Sequence, residues 1–420
     1  MTGTFTLTRF EVGRWEQGRV RPTTWLPVLA EALNISLETL ENAPDRPGKR
    51  GRTIHPIPKD GIEQVGEVLR RTFLQQSLTT AVSALGLSGD LRVIQALSIV
   101  GAEHFGSTVD SLSELVDHYT QTIGALPPAE VYDELLTVRA FANGLLTHEG
   151  HDRQHADLVV ASGWLSHLLA VAACDMGEHA AARVWCSDAE RRSRQARHPE
   201  LEGWATLTKA MIAWYRGQPR QSATLSSRGQ AAVAQGTVIY AKLASQEMRA
   251  AAMAGDIEGM SRSRRRAAAA LAALPADVPT SGALSIALSD DPPYTATSLF
   301  YIGRYREAVA ATNRVIDTVY QPEARQRGEH PSGYARSLLI LGLAQAALGR
   351  LDEAIAAGRT ALSGHRPAWP TMVLAGKLDN VLMQEHPGAS QTAEYHAHYQ
   401  EALNAPAAHR LQLPRAKEHG

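Results

Sequence analysis

Apolar residues recur at helical spacing along most of the chain, in a pattern that predicts pairs of helices. From about residue 130 onward, stretches rich in alanine, leucine and tryptophan end at a glycine, and a second apolar-striped stretch follows. The clearest unit covers residues 334–362, where Leu338, Leu341 and Ala344 lie at helical spacing ahead of Gly349. Intervals of three and four residues predict amphipathic helices, and glycine suits the left-handed conformation that ends the first helix of each pair.

Four earlier units repeat this pattern with turn residues at Gly177, Gly217, Gly255 and Gly303, roughly 40 to 50 residues apart. The units resemble tetratricopeptide repeats, in which small residues let two antiparallel helices approach closely. Their interval exceeds the usual period of about 34 residues, so longer helices or fuller loops are expected. Stacked pairs of this kind form a solenoid with a concave groove. The proline-rich stretch 274–294 is expected to separate two stacks.

The first 44 residues predict three further short helices. Each begins after a threonine or serine that can accept hydrogen bonds from the free amides of the first helical turn, and each carries apolar residues on one face. The predicted caps, inner-face residues and turn glycine are Thr8, Val12, Trp15, Gly18, Thr24, Leu26, Leu29, Ala30, Leu33, Ser36, Leu37 and Leu40.

Within this segment, Trp15, Glu16, Gly18 and Pro22 form a Trp-Glu-x-Gly-x-x-x-Pro motif. On this motif the segment resembles the second half of the helix-turn-helix domain of XRE (Cro/repressor-like) bacterial transcriptional regulators. The resemblance implies that the helix beginning at Thr8 enters the DNA major groove. Arginine there can read guanine or hold phosphate. The implied DNA-binding residues are Thr8, Arg9, Phe10, Glu11, Gly13, Arg14 and Arg19.

The resemblance lacks the first two helices of such a domain, roughly 20 to 25 residues. Two explanations stay open. Either the true start lies upstream, which we expect because the second half keeps its caps and core positions, or the domain has decayed. The following residues 45–60 contain three prolines and several basic residues. They predict a flexible linker that either tracks DNA phosphates or serves as a solvated hinge.

Composition supports an all-α fold class, with a partial helix-turn-helix over residues 1–44, a linker over 45–60, a tetratricopeptide-like α-solenoid over 61–405 and a frayed tail over 406–420. Hydrophobic residues make up 44% of the chain but aromatic residues only 6%, which favours helix over strand. The net charge is −1, so any DNA-binding surface must be local. No uninterrupted apolar run approaches about 20 residues, so we expect a cytoplasmic protein without a membrane span.

Clusters of potentially reactive side chains suggest little chemistry. His148, His151 and His155 have partial zinc-ligand spacing but no assignable third ligand, so exposed histidines on a polar loop are the expected interpretation. Cys174 and Cys186 are expected to pack on facing helices, with a thiol sensor as the alternative. No phosphate loop, nucleophile elbow or Cys-x-x-Cys pair occurs. We therefore expect neither an enzyme nor a bound cofactor.

Two other groups of residues allow a structural and a functional interpretation. An arginine run is expected to be a solvated helix face, with phosphate binding as the alternative, and it comprises Arg262, Arg264, Arg265 and Arg266. Four tryptophans recur at repeat positions and are expected to be core residues, although one could line a ligand groove. They are Trp164, Trp185, Trp204 and Trp214.

The sequence therefore predicts a transcriptional regulator that binds an operator through its N-terminal segment, as a homodimer on paired half-sites. The repeats would dimerise or bind a peptide or small-molecule effector that shifts the DNA-competent population. The alternative is a repeat scaffold that acts through protein partners and carries a vestigial DNA-binding segment.

Overall fold

The computed structural model describes residues 93–94, 96–97, 105–146, 153–288, 290–326, 331–364 and 368–405. This part of the chain is all-α and contains no strand, which confirms the predicted fold class at that level. Its helices are α1 (Phe105–Thr122), α2 (Pro128–Leu146), α3 (Arg153–Asp175), α4 (His179–Ala196), α5 (Pro199–Tyr215), α6 (Pro219–Ala232), α7 (Val238–Met253), α8 (Ile257–Ala272), α9 (Thr295–Tyr301), α10 (Tyr305–Val319), α11 (Pro322–Gln326), α12 (Pro331–Ala347), α13 (Leu351–Leu362), α14 (Trp369–Glu385) and α15 (Ser390–Asn404). The predicted DNA-binding segment and linker lie outside the described residues.

Five predicted turn glycines each end the first helix of a pair in the left-handed conformation, which confirms them. Their φ angles lie between +71° and +80°, and they are Gly177, Gly217, Gly255, Gly303 and Gly349. At the second turn, the Gly217 amide donates to the Trp214 carbonyl and the Gln218 amide donates to the Ala213 carbonyl. These bonds satisfy carbonyls that the end of a helix leaves free. A side chain at such a position would add steric strain.

Other helix ends are also marked by local chemistry. Pro199 and Pro219 occupy the first turns of α5 and α6, where a missing amide hydrogen does no harm. Asp256 precedes α8 and accepts a hydrogen bond from the Gly259 amide at 2.8 Å. Thr237 accepts from the Tyr240 amide at the start of α7. Short-range sequence signals therefore account for where these helices begin.

The first helices of successive pairs pack side by side in the order α3, α5, α7, α9, α12 and α14. The series then returns on itself, because α14 also contacts α3. Trp369 at the start of α14 packs against His179 at the start of α4 and against Tyr215 at the end of α5. The stacked pairs therefore surround a central space instead of leaving an open groove.

The stretch 274–294 does not separate two stacks, so that prediction was wrong. Helices α7 and α9, which lie on either side of it, pack directly against each other. The stretch instead crosses to the end of α1, where the Ala283 amide donates to the Thr120 carbonyl at 2.8 Å. Ile286 is buried in an apolar cluster with Trp204 and Ile239. Its prolines shape a crossing segment that packs on the stack.

Helix α3 occupies the centre of the packing and contacts α1, α2, α4, α5 and α14. Within the described residues, its segment Gln154–Asp175 is long and apolar enough to cross a membrane, with a mean hydropathy of 1.5. However, 78% of the most apolar part of this segment is buried by the neighbouring helices. The packing therefore accounts for its apolar composition.

A buried polar network joins α2, α3 and α4. Arg139 donates from Nε to Ser166 Oγ at 2.8 Å and from Nη2 to Asp188 Oδ2 at 2.7 Å. The Ser166 hydroxyl also lies 2.7 Å from the same carboxylate oxygen. Burial raises the pKa of Asp188, but hydrogen bonds from Arg139 and Ser166 outweigh that effect and hold the pKa below its ordinary value. The carboxylate therefore stays charged inside the fold.

Candidate ligand cavity

The central space forms a cavity of about 660 Å³. Helices α3, α5, α7, α9, α12 and α14 all contribute side chains to its wall, together with the end of α1 and the crossing stretch 281–288. Much of the wall is apolar, and this part includes Leu207, Met211, Ile286, Val315 and Ile340. A volume of this size lies within the range of about 300 to 1,000 Å³ that is typical of small-molecule sites.

A buried arginine stacked between aromatic rings dominates the polar part of the wall. Arg249 on α7 is only 3% exposed. Its guanidinium carbon lies 3.8 Å from the ring centroid of Tyr294 and 4.3 Å from that of Trp214. Electron-rich ring faces attract a cation, by about 2 kcal/mol or more where water is excluded. The rings therefore compensate part of the cost of burying this charge.

A chain of hydrogen bonds fixes the orientation of Arg249. Its Nε donates to Gln246 Oε1 at 2.8 Å, and Gln246 Nε2 donates to Ser222 Oγ at 2.8 Å. The Ser222 hydroxyl in turn donates to the Ala210 carbonyl on α5 at 2.8 Å. Gln246 and Ser222 are fully buried. The guanidinium is thus held in place by three successive helices.

One nitrogen of this guanidinium has no hydrogen-bond partner. Arg249 Nη2 is buried and donates no hydrogen bond to the described residues, although a guanidinium nitrogen can only donate. An unsatisfied buried donor costs about 1 to 3 kcal/mol, and more when it is charged. The stacked and oriented guanidinium, with one nitrogen unsatisfied, therefore has the properties of a binding group for an oxyanion.

Two further cationic side chains line the same cavity. Lys242 lies on α7 with its Nζ 5.4 Å from the Trp204 ring centroid. Burial, followed by the positive charge of Arg336, lowers the pKa of Lys242 to about 8. For Arg336, burial lowers the pKa, but Tyr215 and Asp175 outweigh it and raise the pKa above its ordinary value. The cavity therefore holds more cationic than anionic groups in its wall.

His167 adds a neutral polar group. It is 2% exposed on α3, and its ring contacts those of Trp164 and Trp204. Burial lowers the pKa of His167 to about 4, so the imidazole is uncharged near neutral pH. Its Nδ1 is buried and has no hydrogen-bond partner among the described residues. The cavity wall therefore has a second unsatisfied polar atom, on a different helix from Arg249.

The tryptophan predictions are resolved in two ways. Trp204 and Trp214 are at least 95% buried, as expected of core residues, and both also line the cavity. Trp164 and Trp185 are half-buried and pack between helices without lining the cavity, and Trp185 Nε1 donates to Tyr132 Oη at 3.0 Å. Core packing and cavity lining are thus combined in Trp204 and Trp214.

The arginine run on α8 pairs with carboxylates. Arg262 lies 3.5 Å from Glu258, Arg264 lies 3.9 Å from Asp291, and Arg266 lies 2.7 Å from Glu247. Arg265 is exposed. These observations fit the expected charged helix face.

The cysteines are buried free thiols on consecutive helices α3 and α4, as predicted. Burial raises the pKa of Cys186 to about 12 and raises that of Cys174 as well. Of the three histidines expected to lie exposed on a polar loop, only His155 is within the described residues, and it is half-buried on α3, so the loop prediction was wrong for this residue. The described part of the chain contains no group of three or more potential metal ligands.

The residues predicted to bind DNA all lie outside the described part of the chain, and they are Thr8, Arg9, Phe10, Glu11, Gly13, Arg14 and Arg19. Sequence reasoning missed Lys242 and Arg249. The available signal was two cations seven residues apart on a helix that is rich in alanine. Seven residues correspond to about two helical turns, which places both on one face.

A scan against protein-family models finds no family that matches the chain, and a search of curated proteins finds no match either. Functional inference therefore rests on the cavity residues and on the N-terminal motif.

Proposed function

We propose that the protein is a DNA-binding transcriptional regulator whose tetratricopeptide-like repeat domain binds an effector in its central cavity. The observation that carries the proposal is the cavity of about 660 Å³ that contains a buried guanidinium with an unsatisfied nitrogen. Cavities that combine apolar walls with a few oriented polar groups are typical of ligand sites. In a purely structural core the buried, unsatisfied nitrogen would destabilise the fold, and no ligand would compensate for it.

The DNA-binding half of the proposal rests on the sequence motif from Trp15 to Pro22. Arg9 and Arg14 would lie on or near the groove-facing side of the helix that begins at Thr8. Arginine contacts to bases contribute specificity, and arginine contacts to phosphates contribute affinity. Two subunits would place two such helices on paired half-sites.

Effector binding would act by favouring one arrangement of the repeats over another. A ligand shifts an equilibrium only by its differential affinity for the two states. Since several first helices of the stack line the cavity, a bound ligand would contact more than one of them. The repeat domain is therefore suited to transmit occupancy to the DNA-binding segment.

The DNA-binding proposal can be tested by retention of sheared genomic DNA from the source organism at moderate salt, followed by sequencing. We expect a few enriched sites that share a motif. The double variant Arg9→Ala, Arg14→Ala should lose this enrichment while keeping its thermal unfolding temperature. The matched control is Arg262→Ala, Arg265→Ala, which removes the same charge from exposed positions on α8 and should retain the sites.

Uniform retention of genomic DNA by the unaltered chain would contradict the DNA-binding assignment of this helix. Equal enrichment of the DNA sites by both double variants would also contradict it. The upstream-extended protein would then be tested in the same way. If the extended protein also shows no enriched sites, the repeat domain is better explained as a protein-binding scaffold.

A further inference from the structure

We infer that the effector is a small amphipathic organic acid whose carboxylate or phosphate group binds Arg249. This inference rests on the proposed ligand-binding role of the cavity and specifies the chemistry of its occupant. The two parts of the inference are the oxyanion and the apolar body that carries it.

The oxyanion follows from the state of the Arg249 guanidinium. Its Nε donates to Gln246, and its guanidinium carbon lies over the rings of Trp214 and Tyr294. The edge that carries Nη2 remains, and there the donor is buried without a partner. A guanidinium edge binds planar carboxylates and phosphates through parallel hydrogen bonds, which makes these anions the matching chemistry.

The carboxylates already in the wall do not replace this ligand. Asp291 accepts a hydrogen bond from the Thr295 hydroxyl at 3.0 Å and lies 3.9 Å from Arg264. Asp175 interacts electrostatically with Arg336. Arg249 Nη2 has neither of them as a hydrogen-bond partner.

The apolar body follows from the rest of the wall. Leucine, methionine, isoleucine and valine side chains from five helices and the crossing stretch line the same space. Burial of apolar ligand surface contributes about 25 cal/mol per Å². A free inorganic anion would leave this surface unused, so an organic acid fits the cavity better than phosphate or sulfate.

The cavity wall offers a second polar contact beside Trp204. Lys242 lies seven residues before Arg249, about 10 Å along α7, because each residue advances the helix by about 1.5 Å. Lys242 shares the Trp204 ring with His167, whose Nδ1 also has no partner. A ligand hydroxyl, carbonyl or amide beside Trp204 would satisfy this imidazole nitrogen.

The direct test compares one probe in acid and neutral form. Dansylaminoundecanoic acid becomes fluorescent in apolar sites, and its methyl ester has the same body without the charge. Both are titrated into the full chain at neutral pH. We expect the acid to bind at least about tenfold more tightly than the ester, which is the usual effect of a charged hydrogen bond.

The variant Arg249→Met should reduce acid affinity by about ten- to a hundredfold and leave ester affinity within about threefold. Arg266→Met is the matched control, because this arginine pairs with Glu247 on the outer side of α7 and does not line the cavity. It should keep the preference for the acid. Gln246→Leu removes the hydrogen bond that orients Arg249 and should reduce the preference without abolishing it.

The outcomes separate the inference from the proposed function. Equal affinity for acid and ester in the unaltered protein would overturn the oxyanion inference while leaving the ligand cavity in place. Binding of neither probe would overturn both. The ratio of acid affinity to ester affinity is measured on the unaltered protein. It therefore tests the oxyanion inference even if Arg249→Met fails to fold.

Displacement of the bound probe distinguishes the two oxyanions. Dodecanoate, dodecyl phosphate and dodecanol share an apolar chain and differ only in the head group. Stronger displacement by dodecanoate assigns a carboxylate, and stronger displacement by dodecyl phosphate assigns a phosphate monoester. Displacement by dodecanol at the same concentrations as the two anions would contradict an anion site.

Discussion

The Trp369 ring packs edge-on against the His179 imidazole, with ring centroids 4.1 Å apart and planes at 66°. Trp369 is fully buried, and its Nε1 has no hydrogen-bond partner among the described residues. The contact joins α14 to the start of α4, although 190 residues separate them along the chain. It therefore adds a long-range contact between helices that surround the cavity.

Replacing Trp369 with alanine should reduce the free energy of unfolding by about 3 to 5 kcal/mol, the usual cost of removing a large buried ring. It should also weaken probe binding in the cavity, because Tyr215, which lines the cavity, loses its packing against Trp369. Urea denaturation and the dansyl titration measure the two effects. Trp369→Phe keeps a ring and loses no hydrogen bond, so a loss as large as that of alanine would contradict the packing role.

The Arg139–Asp188 pair predicts an asymmetric response to substitution. Asp188→Ala should cost about 3 to 5 kcal/mol, because it leaves the Arg139 guanidinium buried without its charge partner. The double variant Arg139→Met, Asp188→Leu should cost less than Asp188→Ala alone. Glu307→Ala removes the partner of Arg304 in a half-exposed pair and should cost less than about 1 kcal/mol. Chemical denaturation of the three variants provides the measurement.

Two buried histidines predict a loss of stability in mild acid. Burial lowers the pKa of both His167 and His179 from 6.5 to about 4, and Arg216 and Arg183 contribute at His179. Between pH 6.5 and 4 the unfolded chain binds more protons than the folded chain, so stability falls as pH falls through this window. At about 1.4 kcal/mol per pKa unit, His167 contributes a loss on the order of 3 kcal/mol.

Denaturation midpoints measured across this pH window test the histidine prediction. The variant His167→Gln, His179→Gln should show a shallower decline than the unaltered protein. His118→Gln, at an exposed position on α1, should retain the original slope. Identical slopes for all three proteins would show that these imidazoles do not control the acid response.

The buried cysteines predict unreactive thiols. Thiolate is the reactive form of cysteine, and burial raises the pKa of both Cys174 and Cys186. Ellman's reagent should therefore label the folded chain slowly and release two equivalents on denaturation, since the chain has two cysteines. Ser187→Cys adds an exposed thiol next to Cys186 and should react promptly. Rapid labelling of the unaltered folded protein would favour the thiol-sensor interpretation.

The helix pairs could be predicted from sequence because their signals are local. A turn glycine such as Gly217 is needed where the backbone adopts a left-handed angle, and the apolar spacing around it is read within one helix. The burial of Cys174 and Cys186 on facing helices follows from the same periodicity. These predictions depend on neighbours that are close along the chain.

The cavity could not be predicted in this way. Its wall brings together residues from Gln121 to Leu374, and no periodicity in the sequence indicates that α14 packs against α3. The prolines in 274–294 indicated a break, but where the stretch packs depends on Thr120, far away in sequence. The role of Arg249 was missed, because its environment depends on rings from α5 and from the crossing stretch.

The return of α14 to α3 also has a consequence for how the protein unfolds. In an open repeat array, stability is close to a sum of terms between neighbouring units, so the ends can fray independently. Here the Trp369–His179 contact adds a term between units that are distant in sequence. Separating either end requires breaking this contact as well as a neighbour contact. The described part of the chain should therefore lose its structure in one concerted transition, and Trp369→Ala should convert it into several.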